Sequence, residues 1–433
     1  MAEERAIMNV DTEQFQRDGY SIIREAAPAA RLGELRLQAE IMTDAMKRKS
    51  TAAREASDPP GGRWYADVAP RVSAHQVVTE ETASFVDFIL GETVYGVSEQ
   101  ILHAPETGIC SLEINCSGLI DYGYTDWHRD ASAAEQAPTS GVQADMMANS
   151  VGYVQWNIAL YDDDVFWYLP GSHRNRTTEQ QRRELLAHST QAITGGQVMD
   201  LKAGDAVVYC NIGQHWGSFY SSKLRRTIHL EFRSFGADIF PTSHHFNWDE
   251  GLGFTKVLSD RARAFYARSA ELWADERDRV AATLRTIVRG DTAGFGAALA
   301  DLHPGEQHRM VAVILLCRIG AQVGKIHSPE LSKMTAAERR PLIDGSPPAA
   351  YGEDMAARFT AEETAVMAQR FAALTRRLEA DAARVEAHYT QVHKEVVPNA
   401  TERPNFGSRT LRCFNCEMPA GFDVDEIVAS WGV

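Results

Sequence analysis

The spacing of apolar side chains changes twice along the chain, and the two changes divide it into three stretches. Ala29 to Lys49 places Leu32, Leu35, Leu37, Ile41, Met42 and Met46 at mixed three- and four-residue steps, which predicts a helix. Phe15 to Arg24 reads as a helix end, a stop at Gly19 and a short strand. Thr82 to Ile101 carries Phe85, Phe88, Ile89 and Val94 at helical spacing. From Cys110 the period shortens toward two. Cys110 to Asn115, Val151 to Tyr161, Gln197 to Leu201, Ala206 to Cys210 and Arg226 to Phe232 are short strand candidates, separated by turns such as Ala203-Gly204-Asp205 and Leu169-Pro170-Gly171-Ser172. Many short strands with turn punctuation predict a sandwich, barrel or jelly roll rather than a parallel sheet. After Asn247 the helical period returns in Ser259 to Arg289 and Ala361 to Val397, with Gly345-Ser346-Pro347-Pro348 as a loop between helices. The expectation is a mixed α and β chain. A jelly-roll core with flanking helices would occupy residues 1–248, and a helical extension residues 249–433. That extension would serve as a lid, a pocket wall or an oligomerisation surface, including a homodimer seam along the Ala361–Val397 stripe.

Composition narrows the function classes. A length of 433 residues, 44% apolar and 24% charged, is that of a globular protein with room for two domains. A net charge of −15 without a basic block argues against a nucleic-acid partner. The longest apolar run, Met310 to Cys317, is too short to span a bilayer, and Met1 to Arg5 is not followed by a signal-type apolar segment. Six dispersed cysteines fit a reducing compartment, so the expected location is the cytoplasm.

The chemistry concentrates at Tyr124-Thr125-Asp126-Trp127-His128-Arg129-Asp130. On extended backbone His128 and Asp130 point the same way, offering an imidazole and a carboxylate to one point. A third ligand must come from elsewhere. His215, at the end of the apolar strand that starts from Gly204-Asp205, is the best candidate, since a jelly roll delivers such residues to its open mouth. Two imidazoles and one carboxylate would cover one face of an octahedral Fe(II), with Zn(II) or Mn(II) as competitors, and leave positions for a chelating co-substrate and dioxygen. Arg226 alternates with Ile228, Leu230 and Phe232, opposite the face of Arg225, Thr227, His229 and Glu231. If the apolar face lines the barrel, Arg226 lies inside and needs an anionic partner, either a protein carboxylate or the far end of a dicarboxylate ligand.

In that order of pieces the chain resembles the phytanoyl-CoA dioxygenase family of Fe(II)/2-oxoglutarate oxygenases, over roughly the first 250 residues. The resemblance is carried by the Phe15-to-Arg24 opening, Trp127-His128-Arg129-Asp130, Leu169-Pro170-Gly171-Ser172-His173-Arg174, the Gly204-Asp205 strand that ends in His215, and Arg226. It implies a double-stranded β-helix core, Fe(II) on His128, Asp130 and His215, and 2-oxoglutarate and O2 as co-substrates. It implies Arg226 as the 2-oxoglutarate anchor, Thr125 and Asn115 as further contacts to it, and a structural His173. The carboxylate at Asp130 favours hydroxylation, desaturation or ring formation of a small metabolite over halogenation. The stretch Asp162 to Tyr168 departs from the family's usual Asn-Gly pair, which leaves the substrate open. Competing assignments are a jelly-roll binding protein without turnover and a zinc hydrolase. Cys413 and Cys416 are expected to be packed rather than zinc-bound, His244-His245 to face solvent, and Asp162 to Asp164 to form a solvated loop. Tyr153 and Trp156 either line the pocket or fill the barrel.

Overall fold

A computed structural model describes residues 9–66, 69–121, 125–130, 151–236, 251–302, 308–339, 342–343, 348–416 and 424–432. The described residues form nine strands: β1 (Tyr20–Ile23), β2 (Arg71–Ser73), β3 (Glu106–Cys116), β4 (Tyr153–Ala159), β5 (Phe166–Tyr168), β6 (Gln197–Val198), β7 (Ala206–Tyr209), β8 (His215–Gly217) and β9 (Arg226–Phe235). Six of them form a sheet in the order β1-β7-β4-β9-β3-β2 and three a smaller sheet in the order β6-β5-β8, every paired neighbour antiparallel. Six of the strands were legible as candidates. The three-residue strands β2, β5 and β8 are too short for alternation to register.

The larger sheet is covered on both sides, and this decides which side chains face the site. Val154, Trp156 and Ile158 of β4, Ile228, Leu230 and Phe232 of β9, and Leu112 and Ile114 of β3 share one apolar core with helix residues. Those helices are α1 (Thr12–Asp18), α2 (Ala29–Ala52), α3 (Ala83–Ile89) and α4 (Val97–Leu102). Trp156 Nε1 donates to Ser98 Oγ of α4 at 2.9 Å, so Trp156 packs against helix and not in the barrel. The opposite face joins Ala159, Val207 and Tyr209 to Phe166 and Tyr168 of the smaller sheet. The apolar face of β9 is therefore the helix-packed one, the reverse of the orientation expected from hydrophobicity alone.

Gly19 fixes how the first strand enters. Its φ of +83° ends α1 in the left-handed region, and its N–H caps Phe15 O at 2.7 Å. A Cβ at this position would strike the His173 ring and the Tyr168 hydroxyl. His173 Nε2 lies 3.0 Å from Gln16 O, so this histidine ties the turn after β5 to α1, as expected of a structural residue.

The later helices are α5 (Glu179–Ala187), α6 (Asp260–Arg289), α7 (Thr292–Leu302), α8 (His308–Ile326), α9 (Ala336–Arg339), α10 (Pro348–Arg358), α11 (Ala361–Val396), α12 (Arg409–Cys416) and α13 (Val424–Ala429). Tyr266, Leu272 and Trp273 of α6 belong to the same continuous core as Ile109 and Phe232 of the sheet. A buried ion pair crosses that junction. Arg233 of β9 meets Glu276 of α6 at 2.5 and 3.2 Å, and Tyr351 of α10 donates to the same carboxylate at 2.6 Å. The stripe of α11 is also spent within the chain. Met367, Phe371 and Leu374 join the main core, while Val385, Tyr389 and Val392 pack with Trp127, Trp216, Leu185 and Phe414. These six positions of the α11 stripe are thus buried against the chain's own residues. No helix among the described residues is long and apolar enough to cross a membrane. His244, His245 and Gly345 to Pro347 lie outside the described residues.

Truncating Glu276→Ala would leave the Arg233 guanidinium buried and unpaired, so a loss of about 3–5 kcal/mol is expected. Urea unfolding followed by circular dichroism measures it, and an unchanged midpoint would show that the pair does not hold the helices to the sheet.

Candidate metal centre

Backbone pairing brings the three sequence-predicted ligands together. His128 and His215 form an isolated antiparallel bridge in which each N–H donates to the other's carbonyl at 2.9 Å. Their rings stand side by side, centroids 4.4 Å apart. Two residues on, Asp130 N donates to Asn211 O at 2.9 Å, and Asn211 Nδ2 returns a bond to Asp130 O at 2.7 Å. The extended backbone sends Arg129 the other way. There its buried guanidinium donates to Ser172 O and Ile212 O, both at 2.6 Å, clamping the Pro170-Gly171-Ser172 turn beneath the site.

The donor atoms suit a cation. His128 Nδ1 lies 2.5 Å from Asp126 O and His215 Nδ1 lies 2.9 Å from Gly213 O, so both rings are oriented with Nε2 toward Asp130. His128 Nε2 is 3.3 Å from Asp130 Oδ1, and His215 Nε2 is 3.3 Å from Oδ2. One ligand atom from each of the three lies within 4.8 Å of the others, the one such cluster of histidine, cysteine and acidic residues among the described residues. Burial, aided by Arg409 and His215, lowers the His128 pKa to about 4, which keeps its imidazole neutral at pH 7. Burial alone would raise the Asp130 carboxyl; Arg409, His128 and His215 outweigh it and hold the group ionised.

The expected anchor cation is elsewhere. Arg226 stands on the helix-packed face, where Nη2 donates to Glu40 Oε2 of α2 at 3.0 Å and Nη1 to Arg225 O at 2.8 Å. The assignment of Arg226 to the barrel interior is corrected: the apolar face of β9 serves the helix layer, and the polar face serves the site. On that polar face Arg225 Nε meets Asp163 Oδ2 at 2.8 Å, and Thr227 Oγ1 donates to the same oxygen at 2.6 Å. Asp163 is buried, so the middle of the three consecutive aspartates is not part of a solvated loop. Arg71 of β2 also bears on the site: Nη1 donates to Glu113 at 3.2 Å, and the carboxylates of Asp130 and Glu231 act on its charge. Asn115 lies on this face opposite Thr227, buried, with Oδ1 lacking a partner among the described residues. Thr125 is half-buried in the segment that leads to His128.

Two residues at the centre escaped the sequence reading. Gln155 of β4 donates to Asp130 Oδ2 at 3.0 Å and to Glu231 Oε1 at 3.3 Å. Its place at an inward position of a recognised strand was a usable signal. Arg409 of α12 forms an ion pair with Asp130 Oδ1 across 279 residues, which no local pattern announces. Cys413 of the same helix donates to Arg409 O at 3.2 Å and accepts from Arg129 N at 3.4 Å, a packed thiol as expected.

Residues 15–212 match the family of phytanoyl-CoA dioxygenase (PhyH). The similarity to that family is confined to this stretch. His215 lies three residues beyond the matched stretch, and α6 to α13 lie outside it. No curated protein matches the chain. Among solved structures it is similar to the non-heme alpha ketoglutarate dependent epimerase SnoN from nogalamycin biosynthesis, at 18% identity over 53% of this chain and 82% of that one, TM-score 0.35. It is also similar to AviO1 from Streptomyces viridochromogenes Tue57, at 18% over 52% and 94% with TM-score 0.36. A third is EctD from S. alaskensis, at 14% over 57% and 84% with TM-score 0.39.

The Asp163 pair has a pH signature. Burial raises the Asp163 carboxyl, but Arg225 and Thr227 outweigh it, and its pKa in the folded protein lies below the ordinary carboxylate value. Its stabilisation is therefore complete above an unfolded pKa of about 3.9 and is lost as pH falls through the lower folded value. Asp163→Asn should cost about 3 kcal/mol or more at pH 7. The gap to the parent protein, read from urea midpoints, should narrow below about pH 4. A gap that is constant down to pH 3 would deny the ion pair its role.

Proposed function

We propose that the chain is an Fe(II)- and 2-oxoglutarate-dependent oxygenase that hydroxylates or otherwise oxidises a small organic metabolite. The observation that carries this is the convergence of His128, Asp130 and His215 at the rim of a polar sheet face, in and just beyond the stretch that matches the PhyH family. Strand order β3-β9-β4-β7 facing β6-β5-β8 supports a double-stranded β-helix core. The donor set fits the metal, because two backbone-oriented imidazoles and an ionised carboxylate suit Fe(II) and are supplied by one chain. Iron, 2-oxoglutarate and dioxygen would supply the oxidising chemistry when bound.

The chain's own part is to bind, orient and exclude water. His128, Asp130 and His215 would hold the metal on one side and leave the other side open. Phe166 and Tyr209 wall His215, with ring centroids 5.8 and 5.2 Å from it, and shield the site from bulk water. We assign the far carboxylate of the co-substrate to Arg225 and Thr227 in place of Arg226. These two side chains already converge on one carboxylate oxygen, that of Asp163. A dicarboxylate would take the guanidinium by exchange with it.

The first test is an anaerobic titration of Fe(II)-loaded protein with 2-oxoglutarate, followed by the metal-to-ligand charge-transfer absorption, with His215→Ala as control. A band that needs His215 is expected; its absence from a folded, iron-loaded sample would return the chain to a binding protein or a zinc site. A second measurement separates the two arginines. Arg226→Gln should leave 2-oxoglutarate affinity within about twofold. The paired change Arg225→Gln with Asp163→Asn, which keeps a neutral hydrogen bond in the interior, should weaken it by about ten- to a hundredfold, the value of one hydrogen bond to a charged group. The reverse order would restore Arg226 as the anchor.

A further inference from the structure

The C-terminal helix α12 lies along the ligand-bearing segment itself. Thr410 Oγ1 donates to Trp127 O at 2.5 Å, Cys413 Sγ accepts from Arg129 N at 3.4 Å, and the Arg409 guanidinium reaches Asp130 Oδ1. Consecutive turns of one helix thus engage residues 127, 129 and 130. Leu411 and Phe414 anchor the helix in a cluster with Trp127, Trp216, Tyr389 and Leu185. Docking of α12 therefore stands on apolar packing and two backbone contacts that do not involve Arg409. The guanidinium is free to serve another purpose, and its side chain remains 44% exposed at the edge of the site.

We propose that Arg409 is a positioning residue of the metal centre, delivered by the C-terminal extension, which holds one oxygen of Asp130 so that the carboxylate binds the metal through the other. The inference rests on the metal-centre reading above. Its physical basis is the geometry of a carboxylate ligand. A carboxylate with one oxygen unheld can rotate, or can chelate through both oxygens and consume a position that a ligand needs. Here each oxygen of Asp130 has its own donor: Gln155 Nε2 on Oδ2 at 3.0 Å and the Arg409 guanidinium on Oδ1. A charge-assisted bond is the stronger of the two and is the one that persists when the metal takes an oxygen. Gln155 is then the donor displaced, and Glu231 Oε1, 3.3 Å from the same amide, is there to receive it. The segment 409–416 becomes part of the active centre although it lies far beyond the matched PhyH stretch.

The test uses full-length protein, Co(II) as the probe, and the variants Arg409→Gln and Arg409→Lys. Co(II) affinity is read by competition with a chelator, coordination by the visible ligand-field spectrum, and docking of α12 by amide hydrogen exchange over residues 125–130 and 409–416. The parent protein must bind Co(II) with one-to-one stoichiometry; if it does not, the metal-centre reading fails before Arg409 is in question. Given binding, Arg409→Gln should weaken it by about ten- to a hundredfold, the usual effect of removing a partner that orients a metal ligand. The spectrum should shift, α12 should stay protected, and Arg409→Lys should recover part of the loss. Unchanged affinity and spectrum in Arg409→Gln would overturn the proposal. Tighter binding would also overturn it, by making Arg409 a competitor of the metal. A loss accompanied by deprotection of 409–416 would overturn it in favour of helix packing alone.

Discussion

The centre depends on two backbone hydrogen bonds. The reciprocal pair between His128 and His215 joins residues 87 positions apart and sets the two imidazoles on one side of a shared ladder. Backbone pairing is a firmer way to fix ligands than side-chain packing, because both donors and both acceptors are buried and have no cheaper alternative. Once that bridge forms, Asp130 follows by alternation, and the exchange of bonds with Asn211 fixes its main chain. Arg129 then uses the opposite direction to clamp the Pro170-Gly171-Ser172 turn. A sequence motif of His-x-Asp has chemical meaning here because the intervening residue is itself a structural fastener.

The second constraint is that the large sheet lies between a helix layer and a smaller sheet. Every residue of β9 is buried, but the two faces are buried for different reasons. Ile228, Leu230 and Phe232 remove apolar surface from water against helices. Arg225, Thr227, His229 and Glu231 are buried because polar partners meet them: Asp163 for Arg225 and Thr227, Asn157 for His229, Gln155 for Glu231. A polar interior of this kind is costly unless satisfied, and it is retained where a polar ligand is to be held.

This explains what was legible in the sequence and what was not. The cluster of His128, Asp130 and His215 could be read because its signals are local: a one-residue gap on extended chain, and a histidine at the end of an apolar strand. The face of Arg226 could not be read correctly, because alternation gives the partition of side chains into two sets but not which set meets helices. The rule that apolar residues line the interior fails when the site is the interior. Asp163 shows the same limit on a smaller scale. Three consecutive aspartates look solvated, and only the approach of Arg225, at the entry to β9, gives the middle one a counter-charge. Arg409 was beyond reach altogether, one basic residue among 44 with nothing local to set it apart. The change from a strand period to a helical one was legible, but the packing of the later helices onto the sheet was not.

That dependence can be argued from where charges are buried. Arg233 sits on the strand that carries the polar face, and its counter-charge, Glu276, sits on α6. Asp130 sits at the centre of the site, and a cation that neutralises it comes from α12. In both cases one member of the pair lies in the first 236 residues and the other after residue 251. Arg233 and Glu276 could not both stay buried and ionised apart, since an unpaired internal charge costs more than a single domain of this size can spare. An isolated β-core would expose the apolar face of β9 and strand Arg233. It would also leave Asp130 with one donor fewer, at the carboxylate that joins His128 and His215 in one cluster.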